Sequence, residues 1–360
     1  MNTEAWTGSY EASSAVYWDY NLLQDTCPPQ DLPYACVYIP MLYFIAFFIG
    51  FIGNLLVIVL MAKKRGRKRL VDMFVLNLAV ADLVFVLTLP FWAVSAAHGN
   101  KWYFGEGLCK FSSFIISVNR SSSILFLMGM SVERYLVVMK HVDSKSTGTK
   151  NCLIIVCGCI WAVSLLLGIP SLMFRKLDTT GELCEDEDSV AFQVLSLALL
   201  ILTFLLPLGV ILFCYCSISF KLLNHISLGK GTKNSLQIIF TIIGAFICCW
   251  LPFNAFKAFL FFSSMFQVAD LSCRTLMALR RGLTISACLA FMNSCVNPII
   301  YALMDRHFRR QLLPQRLWVC GTFQKTRQTS GLSFSSTTES RLMFASRNKP
   351  SSPAFIRPEM

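Results

Sequence analysis

Seven long apolar stretches dominate this sequence and restrict the kind of protein it can form. Each holds about 20 mostly apolar residues, the length needed to cross about 30 Å of hydrocarbon. Overall, 55% of the residues are hydrophobic and 14% are charged, which excludes a soluble protein of two domains. We therefore predict an all-α membrane protein, a bundle of seven transmembrane helices over 36–304. The spans lie near 36–62, 70–97, 108–138, 152–174, 191–222, 235–262 and 276–304.

Basic residues are distributed unevenly between the two ends of this predicted bundle. The segment KKRGRKR at 63–69 supplies six of them, and further lysines follow in the next two loops on the same side. Residues 1–35 contain five acidic residues and neither lysine nor arginine. Because basic loops stay in the cytoplasm, we expect a multi-pass plasma-membrane protein with an extracellular, acidic N-terminal tail at 1–35. The basic residues behind the net charge of +12 are then concentrated on the cytoplasmic side, where anionic membrane lipids attract them. Nucleic acid is therefore not an expected partner.

The 15 cysteines divide between the apolar spans and the outer side. Most lie within the spans, where cysteine acts as a small core residue. Cys109 and Cys184 lie on the outer, oxidising side and are predicted to form a disulfide. A second bridge is expected between Cys27 and Cys273, with Cys36 as the alternative partner of Cys273.

Charged residues inside the spans are costly and are functional hypotheses by default. At about 1.5 Å per residue, Arg134 lies roughly 20 Å along its helix from Arg120. Glu133 and Arg134 form either a switch, in which the arginine changes partner, or a pair of side chains that extend to the inner interface. The five such residues are Asp82, Arg120, Glu133, Arg134 and Lys257.

Short motifs in a fixed order resemble those of the rhodopsin-like G-protein-coupled receptors over roughly residues 36–320. Within that family, TLP at 88–90 with Trp92, and WYFG at 102–105, are similar to the chemokine-receptor branch. The family motifs are NLLVIVL from Asn54, NLAVAD ending at Asp82, ERY at 133–135, Trp161, Pro207, Tyr215, CWLPF at 249–253 and NPIIY at 297–301.

The resemblance implies a receptor, not an enzyme, that binds an extracellular peptide or chemokine-like protein and activates a heterotrimeric G protein of the inhibitory class. Trp250, beside Pro252, is expected to repack when agonist binds; the alternative is an ordinary core tryptophan. The residues implied to couple to the G protein are Glu133, Arg134, Tyr135, Tyr215, Asn297, Pro298 and Tyr301.

Polar residues from three spans are expected to meet near Asp82. Oxygen ligands suit a hard cation, and the resemblance implies an allosteric sodium ion, the only cofactor expected. Alternatively, Asp82 is simply protonated or hydrogen-bonded. The implied ligands are Asp82, Asn119, Ser123, Asn293, Ser294 and Asn297.

The predicted ligand-binding residues are Trp92, Arg120, Lys257 and Arg281. Arg120 is expected either to receive an anion, such as a peptide's terminal carboxylate, or to have a structural role, as a salt bridge with Asp82 or hydrogen bonds to neighbouring helices. Ala287 replaces a glutamate that many chemokine receptors use, so their ammonium site is not carried over. The acidic N-terminal tail and CEDED at 184–188 either attract a basic cytokine or are merely solvated.

After the seventh span, 305–320 is predicted to form a short amphipathic eighth helix parallel to the membrane, with Cys320 palmitoylated. The Ser/Thr-rich segment 321–360 is predicted to be a disordered cytoplasmic tail, phosphorylated by receptor kinases and bound by arrestin. The main alternative function is a transporter for an anionic solute. Transporters usually show related halves with broken helices, and this sequence shows no such repeat.

Overall fold

A computed structural model describes residues 33–63, 70–140, 147–178, 182–187, 189–224, 230–265, 272–305 and Phe308. All of them belong to one unit, 1–312; a second unit, 313–360, lies outside the described residues. Within the described ranges, seven helices are long and apolar enough to cross a membrane. The predicted seven-helix fold is confirmed.

The seven spans follow the predicted boundaries closely, with two of them interrupted. The second span consists of α2 and α3, and the fifth consists of α6, a π-helical turn at Ile201–Leu205, and α7. The helices are α1 Ala35–Lys63, α2 Leu70–Val86, α3 Leu89–Ala97, α4 Gly105–Lys140, α5 Thr147–Phe174, α6 Val190–Leu200, α7 Leu206–Asn224, α8 Lys230–Met265 and α9 Cys273–Met304.

Proline accounts for the position of both interruptions. Pro90 occupies the first turn of α3, where a missing N–H costs little, and Thr88 Oγ1 donates to the Phe85 carbonyl 2.8 Å away. Pro207 is the second residue of α7, which begins where the π-helical turn ends. A proline inside a helix removes one backbone donor, so the helix either breaks or adjusts locally before it.

A two-stranded hairpin, which the sequence did not predict, connects the fourth and fifth spans. Strand β1, Arg175–Leu177, pairs antiparallel with β2, Cys184–Asp186, so that Arg175 lies opposite Asp186. A disulfide joins Cys184 to Cys109 at the start of the third span, as predicted. The hairpin is therefore covalently fixed to the third span. We call this end of the bundle, with Cys109 and the hairpin, the disulfide end.

The third span, α4, is the central element of the bundle. Large side chains on it, including Phe126 and Met130, are fully buried in the main apolar core together with Phe204 and Ile242 from other spans. The same helix buries a run of serines and Asn119, and Glu133-Arg134-Tyr135 lies shortly before its last residue, Lys140. We call the end of the bundle that carries these three residues the Glu-Arg-Tyr end.

Candidate functional site

Asp82 lies at the centre of a buried polar cluster in the core. Its two carboxylate oxygens accept hydrogen bonds from Asn119 Nδ2 at 3.0 Å and from Asn297 Nδ2 at 2.9 Å. Ser294 Oγ donates to Asn119 Oδ1 at 3.4 Å, and Asn54 Nδ2 donates to the Ser294 carbonyl at 2.9 Å. Spans two, three and seven thus meet at a single carboxylate, which is completely buried, and span one joins them through Ser294.

The cluster is rich in oxygen atoms, the kind of ligand that a hard cation such as sodium prefers. Ser123 on the third span and Asn293 on the seventh, the two remaining predicted oxygen ligands, are also buried. Among the described residues, Ser123 Oγ has no hydrogen-bond partner although the atom is buried. A buried hydroxyl without a partner is costly, and a hard cation is one group that would satisfy it. The donor set therefore fits sodium.

The structure places Arg120 away from Asp82 and toward the disulfide end. The hydrogen bonds described for Asp82 come from Asn119 and Asn297, whereas Arg120 interacts electrostatically with Asp186 of the hairpin. Adjacent residues on a helix are turned by about 100°, so Asn119 and Arg120 face different sites. Within the described part of the chain, Arg120 Nε is buried without a hydrogen-bond partner. The interaction described for Arg120 is therefore with the hairpin and not with Asp82.

Asp186 is the centre of a second, ionic cluster at the disulfide end. Its Oδ1 lies 2.6 Å from Arg175 Nη1, and its Oδ2 lies 3.8 Å from Lys257 Nζ on the sixth span. Partial burial raises the pKa of Asp186, but Arg175, Lys257 and Arg120 outweigh that effect, and the net pKa is lowered. The carboxylate is therefore ionised and shared among three cations.

Besides Arg120, two more of the predicted ligand-binding residues, Trp92 and Lys257, line this ionic cluster. The Arg175 guanidinium lies 5.7 Å from the centre of the Trp92 ring, and Lys257 Nζ lies 5.5 Å from the Phe253 ring. Arg281 is partly buried on the seventh span, and no ion pair joins it to the cluster among the described residues. The two cations that contact Asp186, Arg175 and Lys257, therefore each lie over an aromatic ring.

Sequence reasoning missed Arg175 and misassigned Asp186. Asp186 was counted in the acidic CEDED surface, yet it turns inward to the cations, while Glu185, one residue earlier, is exposed. Glu187 pairs with Lys176 at 3.8 Å. Side chains alternate between the two faces of a strand, and recognising the strand would have separated Asp186 from Glu185.

Trp250 is buried in the sixth span, two residues before Pro252. Its ring packs against Phe246 at 6.2 Å and Phe253 at 6.1 Å between centroids, and Asn254 Nδ2 donates to its carbonyl oxygen at 2.9 Å. Within the described chain, Trp250 Nε1 has no hydrogen-bond partner. Along the sixth span, Trp250 lies between Lys257 of the ionic cluster and the start of the helix at Lys230.

Residues predicted to couple to the G protein gather at or near the Glu-Arg-Tyr end. Arg134 Nε lies 3.3 Å from Glu133 Oε2, and both side chains are buried. The Tyr135 ring packs against Phe213 at 6.0 Å. On neighbouring spans, Tyr215 and Tyr301 are buried, and Asn297 and Pro298 lie one turn before Tyr301.

A lysine that the sequence did not single out joins two spans at this end. Lys221 Nζ, on the fifth span, donates to the carbonyl oxygens of Val138 at 3.0 Å and Met139 at 3.3 Å. These carbonyls belong to the last turn of α4, where they have no partner within the helix. Lys221 therefore caps the third span from a different helix.

Several predictions fall on residues that the structure does not describe. They are residues 1–32 of the predicted N-terminal tail, which include Cys27, together with Cys320, the tail 321–360 and, apart from Asp305 and Phe308, the eighth helix at 305–320. The Phe308 N–H donates to Asp305 Oδ1 at 3.2 Å. Cys273 is disulfide-bonded and Cys36 is a free thiol, which excludes Cys36 as the partner of Cys273.

Seven membrane-spanning helices, a disulfide that fixes the loop after the fourth to the third, and a buried Glu-Arg pair at the far end define a G-protein-coupled receptor. The chain belongs to the 7 transmembrane receptor (rhodopsin family), whose family model matches residues 53–301. It is a receptor and not an enzyme, and its partners are a ligand and a G protein.

Similar proteins agree with this assignment. Probable G-protein coupled receptor 25 of Mus musculus is 46% identical over 86% of this chain and 87% of its own length. G-protein coupled receptor 15 of Mus musculus is 35% identical over 79% of this chain and 80% of its own length. Apelin receptor A of Danio rerio is also 35% identical, over 86% of this chain and 89% of its own length.

Proposed function

We propose that this receptor binds an extracellular peptide or chemokine-like protein at the disulfide end and activates a heterotrimeric G protein of the inhibitory class at the Glu-Arg-Tyr end. The disulfide end and the N-terminus then face outward from the plasma membrane. The excess of Lys and Arg at 63–69, beside the opposite end of the bundle, supports this orientation. The similar apelin receptors are, by name, receptors for apelin.

The ionic cluster around Asp186 is the observation that carries the proposal. Three cations, Arg120, Arg175 and Lys257, share one carboxylate, which leaves an excess of positive charge at the mouth of the bundle. Arginine binds carboxylates through two parallel hydrogen bonds. A ligand with an anionic group, such as a terminal carboxylate, fits this mouth, while the acidic N-terminal tail attracts the basic surface of the same ligand.

The effect of ligand binding is transmitted to the G protein because the ligand binds one of two arrangements of the helix bundle more tightly and so shifts the equilibrium toward it. Lys257 lies seven residues after Trp250, about two helical turns, so the two residues lie on the same side of the sixth span. A change at Lys257 is therefore transmitted along that span toward Arg134. By reciprocity, a bound G protein raises ligand affinity by the same factor.

A sodium ion at the Asp82 cluster would stabilise the resting arrangement. Asp82, Asn119, Ser123, Asn293, Ser294 and Asn297 would hold it. Because these ligands come from three different spans, the ion supplies a cross-link between spans that a change in helix packing would disturb.

Further cytoplasmic partners follow from the sequence beyond the seventh span. SFSSTTES at 333–340 offers hydroxyls for receptor kinases, and the added phosphates would bind arrestin. Palmitoylation of Cys320 would anchor the predicted eighth helix to membrane lipids.

A ligand screen tests the proposal. Cells expressing the receptor are exposed to basic secreted cytokines and peptides, and G-protein dissociation is recorded. With the first active ligand, Arg120→Ala should abolish the response while surface expression holds. Arg274→Ala is the matched control, because Arg274 is exposed at the start of the seventh span. Equal ligand potency in wild type and Arg120→Ala would remove Arg120 from the binding site.

A further inference from the structure

Asp186 differs from its acidic neighbours because it already occupies the place that a ligand anion would take. Cys184, two residues earlier, is bonded to Cys109, so the backbone that carries Asp186 is fixed to the third span. Lys257 belongs to the sixth span. The ion pair between Asp186 and Lys257 therefore links the fixed hairpin to a different transmembrane helix.

The two contacts that Asp186 makes are unequal. Its contact with Arg175, directly opposite in the hairpin, is 2.6 Å long, and the Arg175 side chain is 18% exposed. Its contact with Lys257 is 3.8 Å long, beyond hydrogen-bond distance, and the Lys257 side chain is 41% exposed. Lys257 is therefore the cation that solvent reaches most easily and that Asp186 holds less closely.

We propose that Asp186 is an internal anion that occupies part of the ligand site, and that an anionic group of the ligand binds by replacing Asp186 as the partner of Lys257. This inference rests on the proposed ligand site at the disulfide end. The ligand group belongs to the carboxylates and related oxyanions, which a lysine ammonium and an arginine guanidinium both bind. Neutral and cationic groups do not compete for Lys257.

A tethered carboxylate competes at the effective concentration that its attachment gives it, which is in the millimolar range for short tethers. Replacing Asp186 with asparagine keeps the size of the side chain and removes the competing charge. Without the Asp186 charge, Arg175 and Lys257 should bind a free anion at a concentration on the order of tenfold or more below the one that wild type needs. Asp186 therefore sets the threshold for anion binding and makes this site selective for strong anions.

Thermal unfolding of the full-length receptor in lipid nanodiscs tests this inference without a natural ligand. The probes are citrate and succinate, compared with chloride at equal ionic strength. In chloride, Asp186→Asn should melt about 2–4 °C below wild type, because its cations lose their partner. Citrate should reverse that drop in melting temperature. The citrate concentration at half-maximal stabilisation should be at least tenfold lower for Asp186→Asn than for wild type.

Two further variants complete the test. Glu185→Gln makes the same change in net charge on the opposite, exposed face of the strand, and it should respond to citrate as wild type does. Lys257→Gln retains the Asp186–Arg175 pair and should lose stabilisation by citrate. Because it does not depend on how Asp186→Asn folds, it tests the inference independently.

Equal citrate midpoints in wild type, Asp186→Asn and Glu185→Gln would overturn the inference, as would full citrate stabilisation of Lys257→Gln. This assay contains neither peptide nor G protein, so such a result would leave the proposed receptor function standing. That function fails separately, if no ligand in the screen elicits G-protein dissociation.

Discussion

Replacing Lys221 with methionine tests how the Glu-Arg-Tyr end is held together. The substitution keeps an unbranched apolar stem and removes the ammonium that donates to the Val138 and Met139 carbonyls. Hydrogen bonds from a charged donor contribute about 1.5–3 kcal/mol each when shielded. Lys221 is only partly buried and water replaces part of the loss, so we expect a net destabilisation of about 1–2 kcal/mol.

The destabilisation caused by Lys221→Met should be concentrated in the last turn of the third span. Amide hydrogen exchange at 137–140 should accelerate by about fivefold to thirtyfold, which corresponds to 1–2 kcal/mol. Exchange within the buried middle of the same helix should be unchanged. Since Arg134 lies one turn before Val138, the maximal rate of G-protein nucleotide exchange should also fall.

Two control variants distinguish the loss of the Lys221 hydrogen bonds from the loss of a positive charge alone. Lys140→Met removes the same charge from an exposed side chain at the end of the same helix and should leave exchange at 137–139 near wild type. Lys221→Arg retains cationic donors and should preserve most of the protection. The reasoning is refuted if Lys221→Met exchanges as slowly as wild type at 137–140, or if Lys140→Met matches it.

Three other predictions follow from packing, sodium and pH. A Cβ at Gly53 would lie 2.7 Å from the Pro298 ring, so Gly53→Ala should lower stability by about 1–3 kcal/mol in thermal melts; Gly158→Ala, which meets open space, should not. Sodium should raise the melting temperature relative to choline at equal ionic strength, and an equal rise in Asp82→Asn would contradict the ion site. Because the pKa of Asp186 is lowered, its ion pairs should persist from pH 7 to about 4 and weaken below that, as the carboxylate protonates. In thermal melts from pH 7 to 3, Asp186→Asn should lack the fall in melting temperature that this protonation causes in wild type. A wild-type fall already complete at pH 5 would contradict the prediction.

The fold and the polar core were accessible from the sequence because their signals are local or carried by motifs. Long apolar stretches predict spans whatever their partners, since hydrocarbon thickness fixes their length. The sequence also grouped Asp82 with Asn119 and Asn297, and the structure brings these side chains within hydrogen-bond distance. In that case the family resemblance supplied the three-dimensional arrangement.

The ionic cluster was less accessible because its members lie far apart in the chain. Arg120, Arg175, Asp186 and Lys257 come from the third span, both strands of the hairpin and the sixth span. Hydropathy identified Arg120 and Lys257 as costly charges but not their partner. Arg175 and Asp186 flank a loop rich in charges, where composition alone suggests a solvated surface.

By itself, the sequence determined the seven spans and the order of the motifs, because apolar length and residue type are properties of each segment alone. It also predicted the cysteine pair 109 and 184, because both residues lie on the oxidising side. Only the tertiary structure decided that Asp186 faces cations, that Arg120 turns from Asp82 toward the hairpin, and that Lys221 caps the third span. Electrostatic and hydrogen-bond energies fall steeply with distance. Which charges interact therefore depends on how the helices and the hairpin are placed, and that placement is a property of the whole bundle.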